Sequence, residues 1–251
     1  MNYFDRSRIL IGVPGTFNYP HSKNWIECES TWIPKLREKG YDVKILLSDP
    51  EQNINYKIKG NFFITKNSDF KDGLYYKNYH YMSEYILSNN QYDYYVKIDS
   101  DSFVHPERFD EMISSLFING VETPDYLGCC VPYRGWNSHD RIFTKIDEGY
   151  GFASGTGMML SRKSLQIILN DFNPSVNTEL HFDDKIVGDI LRDKVSLYHD
   201  SRILFFSKYD MAEVVDLSPD GPSFISDDNS QLAIQHYCSG HMSEIMYKIY
   251  N

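Results

Sequence analysis

Apolar positions along the chain keep two rhythms, and the rhythms alternate. "RILIGVP" (8–14) is an unbroken apolar run closed by Pro14-Gly15, as in a strand buried on both faces. In "KNWIECESTWIPKLREKG" (23–40), Trp25, Cys28, Trp32 and Leu36 recur at roughly helical spacing, and Gly40 stands where a C-cap belongs, so one helix is expected. "YDVKILLSD" and "NFFIT" read as the second and third strands. "LYYKNYHYMSEYIL" carries a helical stripe through Tyr75, Tyr79, Met82 and Ile86, and "YYVKID" reads as the fourth strand. Strands alternating with helices predict a mostly parallel sheet in an α/β layer fold.

Past residue 105 the rhythm changes. "PERFDEMISSLF" predicts a helix with Pro106 in its first turn, and "DYLGCCVPY" a strand. Residues 134–157, rich in Gly, Asp and Ser, read as long loops. "RKSLQIILNDF", capped by Ser161, and "DDKIVGDILRD", opening on Asp183 or Asp184, read as helices. "SRILFF" and "QLAIQHY" read as short strands and "SEIMYKIY" as a closing helix. No repeat or low-complexity tract interrupts the chain. Residues 1–251 are expected to form a single unit, with a nucleotide-type half (1–105) continuous with an acceptor-type half (106–251).

Composition narrows the function classes. The 251 residues are 41% hydrophobic and 24% charged, as in an ordinary globular protein, and the net charge is -10. That sign argues against a nucleic-acid partner, and an anionic ligand would need a cation to mediate. The four cysteines, Cys28, Cys129, Cys130 and Cys238, lack the spacing of a disulfide framework. No run reaches the ~18 apolar residues of a membrane span. The expectation is a cytoplasmic, reduced protein without a membrane span.

The candidate chemistry begins at "DYYVKIDSDSF" (93–103), where an apolar strand runs into Asp99 and Asp101. In open α/β sheets ligands bind beyond the carboxyl ends of the strands. Two carboxylates there suit a hard divalent ion such as Mn²⁺ or Mg²⁺; an Asx-turn with solvated acids is the plain alternative. Lys97, inside the strand, either pairs with Asp99 or a ligand phosphate, or faces solvent from an edge. In "GFASGTGMMLS" (151–161), Gly155 and Gly157 either let backbone approach a ligand or form a tight turn. Asp183 and Asp184 are either helix caps or contain a general base. His236, in "IQHYCSGH", is either a ligand to the ion at Asp101 or a satisfied lone histidine, and its run has too few ligands for structural zinc.

Taken in order, these segments resemble the Fringe and β-1,3-galactosyltransferase group, core-1 galactosyltransferases included. "YDYYVKIDSDSFV" resembles its strand and D-D-D segment, "DGLYYKNYHYMSEYIL" the helix before it, and "GFASGTGMMLSRKSL" its S-G-G-x-G segment. "FDDKIVGDIL" is similar to its E-D-V motif, and "LAIQHYCSGHMSEIMYKIY" to its F-H-Y ending. The resemblance runs from about residue 8 to the end. It implies a GT-A glycosyltransferase fold, a single Rossmann-like nucleotide-sugar-binding half continuous with an acceptor half. It also implies metal-dependent, inverting transfer of a sugar from a nucleotide sugar, usually a UDP-sugar, to a hydroxyl of a glycan or glycoconjugate acceptor.

On the resemblance, Asp184 matches the base and Asp183 stands where the family has Glu, beside the acceptor. Asp99, Asp101 and His236 match the metal positions. Lys97, Asp99, Ser100, Gly155, Thr156 and Gly157 match positions around the donor, and Val13 and Pro14 lie where the family holds the uracil. Tyr133 and Trp136, in the variable loop, could stack an acceptor sugar or fill a core. Ser100 replaces the family's middle aspartate and Thr156 replaces a glycine, and the expectation is a protein without the family's anchor and disulfide cysteines. Two other readings remain: a sugar nucleotidyltransferase, which would attack phosphorus, and a non-catalytic sugar- or nucleotide-binding module.

Overall fold

A computed structural model describes residues 4–18, 22–69, 72–118, 123–132, 135–136, 143–144, 151–173, 183–200, 202–204 and 233–235. The closing helix expected over 243–250 lies outside them.

The first strand, β1 (Ile9–Pro14), is buried along almost its whole length, as its unbroken apolar run requires. The single helix expected next is two, α1 (Ser22–Ser30) and α2 (Trp32–Glu38). The cause is Pro34, which has no N–H to give and whose ring collides with the carbonyl four residues back. Thr31 breaks the path with non-helical angles (φ -119°, ψ -92°), and its hydroxyl donates to the Glu27 carbonyl at 2.7 Å. Pro34 then sits in the first turn of α2, where its missing N–H costs nothing. Gly40 (φ +99°) ends α2 as expected: its N–H reaches the Arg37 carbonyl and that of Tyr41 the Leu36 carbonyl, a Schellman motif.

Strand β2 (Asp42–Ser48) is followed by a hairpin, β3 (Tyr56–Lys59) and β4 (Phe62–Thr65), turning at Gly60 (φ +59°). β3 was not expected; the Gly60-Asn61 pair between two apolar-rich runs was its signal. The Tyr-rich helix is α3 (Asp72–Tyr75), a π-turn (Tyr76–His80) and α4 (Tyr81–Ser88). Its expected stripe, Tyr75, Tyr79, Met82 and Ile86, is fully buried. Then come β5 (Tyr94–Lys97), β6 (Phe103–Val104), α5 (Pro106–Ile118) and β7 (Tyr126–Pro132).

The expected loop 134–157 holds a two-stranded pair, β8 (Gly135–Trp136) with β9 (Phe143–Thr144), and then an eleven-residue strand, β10 (Gly151–Ser161). Gly155 and Gly157 lie within this strand and are closely packed. Helix α6 (Arg162–Asp171) starts at Ser161, whose hydroxyl accepts from the Ser164 N–H as a cap. The remaining elements are α7 (Asp183–Leu191), β11 (Leu197–His199), β12 (Ile203–Leu204) and β13 (Ile234–Gln235).

The central sheet has eight strands in the order β11-β7-β10-β5-β1-β2-β4-β3. β1, β2, β4 and β5 run parallel, and β10 lies antiparallel to both β5 and β7. One face packs on α1, α2 and α5 through Ile11, Val13, Ile45, Val96 and Trp32. The other packs on the π-turn, α4, α6 and α7 through Leu10, Tyr79, Tyr95, Leu165 and Val187. A small second sheet, β12-β13-β6, joins the first face. Among the described residues no helix is long and apolar enough to cross a membrane.

Candidate active site

Alternation along β5 sends Val96 and Ile98 to one face and Tyr95 and Lys97 to the other. Lys97 is a central-strand lysine, only 2% exposed, so the edge-strand alternative is excluded. Its ammonium donates to Asp99 Oδ1 at 2.5 Å. Burial works against its charge, but Asp99, Asp183 and Asp184 outweigh that and hold the ammonium above its ordinary range. Asp99 and Asp101 stand half-buried on the bend between β5 and β6, at the carboxyl end of the parallel strands.

The glycine segment meets that bend. The pairing of β10 with β7 shifts register between Ala153 and Met158, so residues 154–157 leave the ladder as a bulge. Gly155 accepts from the Asp99 N–H at 3.0 Å and donates its own N–H to Asp184 Oδ2 at 2.9 Å. One residue thus joins the backbone of the strand-end acid Asp99 to the carboxylate of Asp184 on α7. A Cβ on Gly155 would collide with Lys97 Nζ and Asp99 Oδ2, so the ion pair would have to shift to admit a side chain.

Asp184, in the first turn of α7, is therefore more than a helix cap. Burial and then the neighbouring Asp183 push its carboxyl up to about 6, against the pull of Lys97. A carboxylate of that basicity is ionised at neutral pH and can still accept a proton, as a general base must. Asp183 accepts from Asn78 Nδ2 at 2.6 Å.

Asn78 was not expected in the site, nor were Lys77 and Asp69. Lys77, on the π-turn, is 1% exposed and donates to the Gly15 carbonyl at 2.9 Å and to Asp69 Oδ1 at 2.5 Å. Asp69 also accepts from the Ser48 hydroxyl at 2.6 Å. This clamp ties the ends of β1 and β2 to the segment before α3. A lysine inside an aromatic helical stripe was the available signal, the same anomaly that marked Lys97. Cys28 reaches the acidic bend from the opposite face, its thiol donating to the Ser100 carbonyl at 3.2 Å.

The other expected positions divide. Pro14 is half-buried at the end of β1, whereas the Val13 side chain is sealed in the opposite core face, leaving only its backbone for a ligand. Thr156 is fully buried, and its hydroxyl accepts from that of Ser154 at 2.9 Å. Gly157 packs against Ile234 and Ile203, where a Cβ would come within 2.6 Å of Ile234 Cδ1, so its missing side chain serves the contact between the two sheets. Tyr133 and His236 lie outside the described residues, and Trp136 is described only as backbone in β8.

Asp99 and Asp101 offer the hard oxygen ligands that Mn²⁺ and Mg²⁺ take. Among the described residues no group of three His, Cys, Asp or Glu side chains is placed to hold a metal alone. These two acids fit an ion that completes its shell with a ligand's phosphate oxygens, the usual habit of Mg²⁺.

Residues 54–201, more than half of the chain, match the family described as Galactosyltransferase. No curated protein matches the chain in sequence. In fold it is similar to a glycosyltransferase involved in the glycosylation of the major capsid of PBCV-1. That pair is 13% identical with a TM-score of 0.54, covering 96% of this chain and 98% of the other. A 2-C-methyl-D-erythritol 4-phosphate cytidylyltransferase from Francisella tularensis is 9% identical over 82% of this chain and 97% of its own, with a TM-score of 0.48. The likeness to the PBCV-1 protein concerns the fold alone.

Proposed function

The chain belongs to the galactosyltransferase family and is a glycosyltransferase, and from that premise we propose that it moves a sugar from a UDP-sugar to a hydroxyl of a glycan or glycoconjugate acceptor, with inversion and with the help of a divalent ion. The observation that carries this reading is Gly155, whose carbonyl accepts from the Asp99 N–H while its own N–H donates to the Asp184 carboxylate. It brings an acid suited to the donor's diphosphate and an acid suited to proton abstraction into one site.

Asp184 takes the proton of the acceptor hydroxyl as that oxygen attacks the anomeric carbon. The bond from that carbon to the diphosphate oxygen breaks on the opposite side, so the configuration inverts. A positioned base contributes ~10²–10⁴-fold in rate. Lys97 keeps Asp99 and the two α7 acids from repelling one another, and Gly155 holds Asp184 in place. Asp101, Asp99 and His236 would hold Mn²⁺ or Mg²⁺, which when bound neutralises the leaving diphosphate. In support of His236, Gln235 pairs with Phe103, two residues past Asp101, and His236 follows it in the chain.

The test is a panel of nucleotide sugars with Mn²⁺ and glycan acceptors. Free UDP with a glycosylated product of opposite anomeric configuration is expected. Pyrophosphate released from a nucleoside triphosphate and a sugar phosphate would make the protein a nucleotidyltransferase instead. Nucleotide-sugar binding without turnover across the panel would make it a binding module.

A further inference from the structure

The π-turn buries three consecutive side chains: Lys77, Asn78 and Tyr79 are 1%, 2% and 0% exposed. Single π-turns within α-helices recur at functional sites because the extra residue redirects side chains. Lys77 serves the β1 end through Gly15. Asn78, the next residue, serves α7 through Asp183. Among the described residues, Asn78 is the one side chain that hydrogen-bonds Asp183.

The amide orientation follows from chemistry: the reverse would set its carbonyl oxygen against a carboxylate. In this orientation Asn78 Oδ1 is buried with no hydrogen-bond partner among the described residues. A leucine would fill the same space without that unmet polar atom, so packing does not account for the amide. Its consequence is at Asp183. Two adjacent acids begin α7, and proton abstraction needs one of them aimed at the acceptor. Asp184 is held by the N–H groups of Gly155 (2.9 Å) and Lys185 (3.1 Å); Asp183 is held by Asn78.

We propose that Asn78 is a positioning residue of the transfer reaction: by fixing Asp183 it sets the first turn of α7 and so the direction in which Asp184 faces the acceptor hydroxyl. The inference rests on the role given to Asp184 above. It assigns to the π-turn a part in the chemistry, with one side chain serving the donor end of the sheet and the next serving the base.

Two variants test it. Asn78→Leu keeps the volume and removes the donor; Asn78→Asp keeps the shape and sets a like charge against Asp183. Turnover should fall by roughly 10- to 100-fold in Asn78→Leu, as misplaced catalytic groups do, and further in Asn78→Asp. The melting temperature of Asn78→Leu should hold or rise, and UDP affinity by calorimetry should stay within about twofold, as expected when the lost interaction acts on chemistry alone. Wild-type turnover in Asn78→Leu, or a fall in UDP affinity that matches the fall in turnover, would overturn the proposal. Crystal structures of wild type and Asn78→Leu provide a readout independent of activity. A displaced Asp183 with the Gly155–Asp184 hydrogen bond broken is expected, and an unchanged first turn of α7 would overturn it. An inactive wild type would instead sink the transferase reading.

Discussion

At Gly155 one hydrogen atom in place of a methyl group keeps the site together. Gly155→Ala would drive Cβ into Lys97 Nζ and Asp99 Oδ2, which are themselves an ion pair and would both have to shift. Overpacking of this kind costs about 1–3 kcal/mol, and the displaced groups should lower kcat/KM by roughly 100-fold. Melting curves and initial rates on the variant check both numbers. Asp184 makes a second prediction at the same scale. Its carboxyl is raised to about 6 in the folded chain, against ~4 for a free one. Between those values the folded protein holds a proton that the unfolded chain has lost, so this group's contribution to stability falls as pH rises from about 4 to about 6. Activity should move the opposite way, since only the ionised base works: kcat/KM should rise through pH ~6 and then level. A profile flat from pH 5 to 8 would contradict the assignment.

At the scale of elements, the π-turn carries the site, and Lys77 is its anchor. Lys77→Met would leave Asp69 without its buried cation, a break that costs about 3 kcal/mol. The urea midpoint should fall with the slope unchanged, and nucleotide affinity should drop as the Gly15 end of β1 loosens. Elements of this kind show what a sequence discloses. β1, β5 and α5 were legible because one rhythm filled each of them. The break at Thr31 was hidden because the apolar spacing runs through it, and only Pro34 signals the interruption. Residues 151–157 of β10 were read as loop because their glycines resemble turn residues. Their meaning lies in what approaches them, Lys97 at one and Ile234 at the other, and those contacts are far apart in sequence. For the same reason the Asn78 and Lys77 contacts, which span 105 and 62 residues, were out of reach.

For the whole molecule, the net charge of -10 sets the problem that the site must solve. A diphosphate donor, as proposed, would meet repulsion at such a surface, and the buried lysines Lys77 and Lys97 are already paired with Asp69 and Asp99. In the proposed reaction a bound ion would bring the compensating charge. A chelator should abolish both transfer and the thermal stabilisation given by UDP, and added Mn²⁺ or Mg²⁺ should restore both; UDP stabilisation that persists in the chelator would argue that the protein alone holds the diphosphate. The order of motifs along the chain made the fold class and the acids legible, since they sit at a strand end and a helix start. The single residue that links them, Gly155, was not, because its position depends on a bulge in a strand.

The central claim is that Asp184 is the base of a sugar transfer, and the most direct measurement compares UDP release by wild type and Asp184→Asn, with UDP affinity measured on both. The account predicts a loss of at least ~100-fold in turnover with affinity preserved. Asp184→Asn with wild-type turnover would contradict it.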